Sequence, residues 1–293
     1  MAVPYSTTSA SILGNHTWIT EGGVNRLTEE IHIKESGTWR KTKEVWIKES
    51  GTWRLVHEGE HFLFQANLNS PSQDEFVLST WLNGQGYSSG PIKGVIHVTQ
   101  PRKRVNMGNF SGKVYLWNSG APIKGSGGNG GNRGGQNGAV GMDAVYSGGT
   151  PFLLNNQGGV IAGGGGGGGG GSNAQCVYQN TYTYGCMKGN QCSDTDQQFS
   201  NANGGGGGGG AGYPGGQGKD GGQNGQTNGG GGGGGNDGCG SNSGGSGGNL
   251  GQNGQGATSG GSGGAKGYAI VGYSHKIANV GSGDGDLRGG TTG

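Results

Sequence analysis

The 293-residue chain is poor in what a conventional core is made of, with hydrophobic residues only 28% of it, and poor in charge as well, at 12%. Globular chains run at about 45–50% apolar, so an oil-drop core over the whole length is excluded. No apolar run approaches the roughly 18–20 residues of a membrane-spanning helix, and no membrane insertion is expected. The net charge of +2 is too small to draw the chain to nucleic acid or anionic lipid by bulk electrostatics. The start, Met1-Ala2-Val3-Pro4-Tyr5, lacks the basic-then-apolar pattern of a secretory leader, so assembly in a cytoplasm is expected. The cysteines show no Cys-x-x-Cys spacing, which leaves a zinc site little support. No Gly-x-x-x-x-Gly-Lys-Ser/Thr loop occurs, and His57, His61 and the other histidines stand in no nucleophile–base pattern. The chain is therefore not expected to be an enzyme, and no metal or cofactor is expected.

What is abundant is glycine, 79 residues against an average of roughly 7% of a chain. It is unevenly placed. Up to about Val114 the sequence is ordinary, and its clearest feature is a repeat of period 14. Ile31-His32-Ile33-Lys34-Glu35-Ser36-Gly37-Thr38-Trp39-Arg40 is followed by Val45-Trp46-Ile47-Lys48-Glu49-Ser50-Gly51-Thr52-Trp53-Arg54. Each copy alternates apolar and polar residues, turns at Ser-Gly, and returns on a tryptophan, which predicts two β-hairpins in tandem. Isolated hairpins are marginal, so these should dock on something. Trp39, Trp46, Trp53 and Trp81 are either core residues or a docking surface. Further strands are expected over 61–65, 76–80, 95–99 and 113–117. The basic triplet Arg102-Lys103-Arg104 reads as a solvated turn, and Asp284 and Asp286 as turn residues.

Beyond Val114, nearly pure glycine runs occupy 163–171, 204–210 and 229–235. Flexible linkers are usually diluted with serine throughout; these are not. An internal repeat leads into them. Leu116, Asn118, Gly120, Ile123 and Gly125 coincide in register with Leu154, Asn156, Gly158, Ile161 and Gly163, and a weaker third copy starts at Ile277. A linker has no reason to repeat a strand, a turn and an apolar anchor before each run. The alternative to disorder is a bundle of three-residue-per-turn polyglycine II helices. There every backbone N–H and C=O bonds to a neighbouring helix, and runs of seven to nine residues make rods of roughly 22–28 Å. Rim rods can carry Asn, Ser, Gln or Lys, which suits the mixed stretches 125–138, 215–225 and 244–256. Residues 268–273 should return the chain to the β region.

The lead-in Asn118-x-Gly120-x-x-Ile123-x-Gly125, its second copy running through Val160-Ile161-Ala162-Gly163, and Gly267-Tyr268-Ala269-Ile270-Val271-Gly272-Tyr273-Ser274 resemble the tail-fibre tip adhesins of T-even bacteriophages. The resemblance covers roughly Lys113 to the C terminus; the hairpin repeats look more like small modules of various phage tail proteins. It implies a receptor-binding protein on the virion, at the tail-fibre tip, whose polyglycine II sandwich holds variable loops that bind a Gram-negative outer-membrane protein. The partners implied are that protein (or a surface glycan) and the tail-fibre protein, with one copy per fibre. On this reading 1–60 is an attachment region using Trp39, Trp46 and Trp53, 61–117 a small mainly β domain, and 118–293 the receptor-binding bundle with its return strand.

The candidate receptor-binding loop is 172–203, with Tyr178, Tyr182, Tyr184, Met187, Lys188, Asp194, Asp196 and Phe199. Tyrosine amid Asn, Ser and Gly is the chemistry of antibody paratopes. Tyr213, next to Pro214, and Asn236-Asp237 are further candidates, as is the stretch 143–150. Cys176, Cys186, Cys192 and Cys239 fall in these loops. Free thiols are the expectation for a cytoplasmically assembled protein, and a loop staple formed after virion release is the alternative. A competing reading is an ice-binding or structural polyglycine II protein without a cell-surface receptor. RNA binding through Arg133-Gly134-Gly135 and Arg288-Gly289-Gly290 would need more such segments.

Overall fold

The computed structural model describes residues 18–21, 24–27, 31–42, 44–58, 61–186, 191–227, 231–232, 234–235, 242–281 and 283–293. The chain opens with three antiparallel hairpins: β1 (Trp18–Glu21) with β2 (Val24–Leu27), β3 (His32–Glu35) with β4 (Thr38–Lys41), and β5 (Glu44–Glu49) with β6 (Thr52–Glu58). The last two are the period-14 repeat. Each turns through two residues of positive φ, Ser36 and Gly37 at 49° and 84°, Ser50 and Gly51 at 49° and 86°, the tight turn whose twist matches the strands.

From Phe62 the protein is mainly β and, unlike the hairpins, its two larger sheets are built of parallel strands. One sheet holds β7 (Phe62–Leu68), β9 (Ile92–Val98), β11 (Gly112–Ser119), β14 (Phe152–Gln157) and β19 (Lys276–Asn279), in the order β19-β14-β11-β9-β7. The other holds β8 (Ser72–Val77), β10 (Arg102–Gly108), β12 (Pro122–Lys124), β13 (Val145–Ser147), β15 (Val160–Ala162), β18 (Ile270–Val271), β20 (Asp286–Arg288) and β21 (Thr291–Thr292). The chain steps from one sheet to the other and back. Their facing sides share one core, in which Ile92, Ile96, Leu116, Phe152 and Leu154 meet Phe76, Val105, Met107, Ile123, Ile161 and Ile270. A short helix α1 (Leu78–Gly84) adds Leu78 and Leu82, and its Trp81 ring lies 5.8 Å from Phe64 and 6.4 Å from Phe76.

The internal repeat is the stacking register. Leu116 pairs with Leu154, Asn118 with Asn156, and Ile123 with Ile161. At the corner between sheets the Asn118 amide donates to Asn156 Oδ1 and to the Ala121 carbonyl, both at 2.8 Å. Asn156 in turn donates to the Asp284 carbonyl, so one amide per layer closes each corner. Gly120 and Gly158 follow with φ of 77° and 70°, where a side chain would strain the turn.

Several sequence expectations need correction, among them Asp286, expected in a turn, which opens β20. Residues 76–80 are half strand and half helix, because the strand ends at Val77 and Leu78 opens α1. The triplet Arg102-Lys103-Arg104 is not a turn but the start of β10. Arg104 Nη1 lies 3.3 Å from Glu75, its guanidinium stands 5.2 Å from the centre of the Tyr146 ring, and Arg102 donates to the Ser70 carbonyl. The stretch 143–150 is no loop either, since β13 runs through it with Ala144, Val145, Ser147 and Thr150 buried.

Leaving β12 and β15, the chain crosses the glycine-rich region ten times among the described residues, over 125–132, 136–142, 163–171, 204–212, 215–219, 222–226, 231–232 with 234–235, 244–248, 252–256 and 261–267. These extended segments bond to one another at every third residue. Gly165, Gly168 and Gly171 donate to the carbonyls of Ala211, Gly208 and Gly205, while Gly164, Gly167 and Gly170 donate to Met142, Ala139 and Gln136. The glycine runs 163–171 and 204–210 are buried throughout, with bonded segments on every side. The mixed segments form the rim, where Asn129, Asn137, Asn253 and Gln255 are exposed. Residues 268–271 return the chain to the β region, as expected.

Candidate functional site

The glycine segments have two ends. At the near end lie the sheets, joined to the segments by bonds such as Gly163 N–H to the Arg288 carbonyl and Lys124 Nζ to the Thr227 carbonyl. The far end gathers turns from distant parts of the chain. Arg133 N–H donates to Asp220 Oδ2, Ser172 N–H to the Ser259 carbonyl, and Asn242 Nδ2 to the Ser172 carbonyl.

From this end rises a hairpin, β16 (Ala174–Gly185) with β17 (Gln191–Ala202). The segment 172–203, expected as a loop, is two twelve-residue strands in continuous antiparallel register from Ala174–Ala202 to Gly185–Gln191. That register extends the one below it. Residue numbers of bonded partners in the central glycine pair add to the same total as in the hairpin, so the ribbon continues the axis of 163–171 and 204–212. Val177, Tyr178, Tyr182, Thr183 and Tyr184 favour a pleated strand, and Thr195 and Phe199 support them from β17. Cys186 and Cys192 are joined as a disulfide near the tip, correcting the expectation of free thiols there.

Side chains alternate between the faces of a strand, and the register sorts the candidates. Tyr178, Tyr182 and Tyr184 lie on one face; Tyr182 stands directly opposite Asp194, and Asn180 opposite Asp196. Phe199 is on the other face, opposite Val177. All are well exposed, Tyr182 at 52% and Phe199 at 59%. The tyrosine face therefore carries rings in one row and carboxylates in the other.

The remaining candidates scatter. Tyr213 is at the near end, half-buried, its N–H donating to the Gly125 carbonyl. A full glycine segment separates it from the hairpin, because the chain turns at Tyr213-Pro214 back towards the far end. Met187, Lys188, Asn236, Asp237 and Cys239 lie outside the described residues. The chain flanking 236–241 is at the far end, since Gly235 bonds Gly206 and Asn242 bonds Gly205. Trp39 and Trp53 are 65% and 62% exposed, each with a lysine ammonium 5.8 Å from its ring centre, and Trp46 is exposed as well. Sequence reasoning missed the turns 133–135, 219–221 and 257–260, which build the far-end platform. Their signal was the Asn-Arg-Gly-Gly and Lys-Asp-Gly-Gly turn chemistry between glycine segments.

Among the described residues no group of histidine, cysteine, aspartate and glutamate could hold a metal ion, and no helix is long and apolar enough to cross a membrane. No curated protein matches the chain. A solved structure, the gp37–gp38 adhesin tip complex of the bacteriophage S16 long tail fibre, is similar at 19% identity and a TM-score of 0.38, over 80% of this chain and 83% of that one. The family model of the phage tail fibre adhesin Gp38 matches residues 65–292, which spans both sheets, the glycine segments and the hairpin. The chain belongs to the phage tail fibre adhesin Gp38 family.

Proposed function

We propose that this adhesin caps the tip of a tail fibre and binds an outer-membrane protein of a Gram-negative host through the far end of its glycine segments. The observation that carries this is the β16–β17 hairpin, which extends the most buried glycine pair and presents Tyr178, Tyr182 and Tyr184 beside Asp194 and Asp196 on one face. Exposed tyrosines give large amphipathic contact area at low entropic cost, and a ribbon anchored on a bonded lattice is preorganised for binding. Met187, Lys188, Asn236 and Asp237 belong to the same reading by their place in the chain.

The glycine segments are best accounted for as polyglycine II helices. In support, hydrogen bonds recur to the same neighbour at every third residue, the repeat of a three-residue-per-turn helix. In this division 118–293 is the receptor-binding unit with its return strand, 61–117 the β unit that carries it, and 1–60 the attachment region. Attachment to the fibre protein falls to Trp39, Trp46 and Trp53, which are exposed on hairpins of their own, one adhesin to a fibre, assembled in the host cytoplasm. Membership of an adhesin family displaces the ice-binding alternative.

The test is adsorption competition. Purified protein should block phage attachment to a Gram-negative panel, and Tyr182→Ala/Tyr184→Ala should lower the blocking at least tenfold with an unchanged thermal melt. A folded wild-type protein that blocks attachment to no strain on which the phage grows would sink the reading.

A further inference from the structure

The face of the hairpin turned away from the tyrosines has a different chemistry. At its base an open cleft of about 570 Å³ is lined by Asn173, Ala174, Gln175, Asn201, Ala202 and Asn203. Four of these side chains are primary amides, and none is charged. Gln175 stands directly opposite Asn201, and Asn173 Oδ1 accepts the Gly204 N–H at 3.2 Å, which pins that amide to the wall. The next pair along the same face is Val177 opposite Phe199, whose ring is exposed. Beyond it come Gln179 opposite Gln197 and Thr181 opposite Thr195, their hydroxyls 3.4 Å apart. From base to tip this face is amide and hydroxyl around one aromatic ring. Both carboxylates, Asp194 and Asp196, stand on the other side.

Each amide offers two N–H donors and a carbonyl acceptor, the complement of neighbouring hydroxyls on a pyranose ring. An exposed phenyl face beside them supplies an apolar plane for the C–H side of the same ring. No lysine or arginine lines the cleft to balance a phosphate or carboxylate, and no acid to balance a cation. We propose that this face is a saccharide subsite for a neutral hexose unit of the host surface glycan, distinct from the tyrosine face. It rests on the adhesin reading and adds a ligand class to it.

The experiment is saturation-transfer NMR on the full chain. The probes are the neutral methyl α-pyranosides of glucose, galactose and mannose, with glucose 6-phosphate and glucuronic acid as charged comparators. Transfer is expected to at least one neutral pyranoside and to neither charged sugar. Gln175→Ala/Asn201→Ala, and separately Phe199→Leu, should weaken it at least tenfold, while Tyr182→Ala on the opposite face leaves it unchanged. Circular dichroism melts check that each variant is folded. Absence of transfer to every neutral pyranoside, or full transfer to the double variant, overturns the subsite. Cell adsorption by the same preparations separates the two claims. Wild-type protein that adsorbs to cells but takes no pyranoside loses the subsite and keeps the adhesin reading; protein that does neither loses both.

Discussion

At Gly167 an added methyl group would sit 1.9 Å from the Asn129 carbonyl oxygen, and at Gly209 equally close to that of Gly216. Neighbouring backbones occupy the space a side chain would need. At Gly256, on the rim, the nearest atom would be 3.5 Å away, an ordinary contact. Gly167→Ala is therefore expected to cost about 3 kcal/mol or more, at the upper end of overpacking penalties, whereas Gly256→Ala should change stability by less than about 1 kcal/mol. Denaturant unfolding of the two variants measures the contrast. A second residue-scale test concerns Asp284, which accepts from Lys276 at 2.8 Å and from the Tyr273 hydroxyl. Burial pushes its carboxyl up, but the bonds from Lys276 and Tyr273 outweigh it and leave it below the usual carboxylate range. Burial likewise opposes charge on Lys276, and the bonds to Asp284 and Tyr273 outweigh that and raise it. A carboxyl depressed on folding contributes stability above its unfolded value of about 3.9 and loses it as pH falls through the lower folded one. The stability lost in Asp284→Asn should thus be constant from about pH 5 to 8 and shrink below about pH 4, read from melts across that range. The ammonium, raised on folding, keeps its contribution until pH climbs past about 10.5.

The elements differ in how far the sequence revealed them. The period-14 hairpins could be read directly because each copy carries its own alternation and Ser-Gly turn, and the Leu116/Leu154 register because the two copies of the internal repeat lie side by side. The division of glycine segments into centre and rim was readable for 163–171 and 204–210, since only an all-glycine run tolerates backbones on every side, but not for the third run, whose Gly231 and Gly234 are half-covered. The parallel pairing of β9 with β11 was not readable. Their sides are buried in the core or half-covered, so they read as apolar runs without a clear alternation, and nothing local says that Val95 lies beside Tyr115. The β16–β17 hairpin escaped for the opposite reason. Both of its faces are exposed and polar, so it lacks the apolar alternation that marks a half-buried strand. That independence from the core is testable. Replacing 174–202 by an Asn-Gly turn should leave the thermal midpoint within roughly 2 °C of wild type, as no core residue is removed, while competition for adsorption is lost.

For the whole molecule, the family match begins at residue 65 and the shared core at Phe64, whereas Trp39, Trp46 and Trp53 on the hairpins before them stand in solvent. A chain of residues 61–293 is therefore expected to melt cooperatively but to be missing from virions made with it, which a particle blot would detect. The bonding at every third residue has a further effect, on inheritance. Where glycine codons repeat one nucleotide triplet, a copying polymerase can gain or lose them. A slip of one codon in 163–171 puts the run out of phase with every segment bonded to it and displaces one foot of the hairpin by about 3 Å. A slip of three restores the phase, yet lifts that foot by about 9 Å unless 204–212 lengthens to match. The runs therefore carry their message in length rather than in letters, and neutral drift there should proceed only in paired triplets.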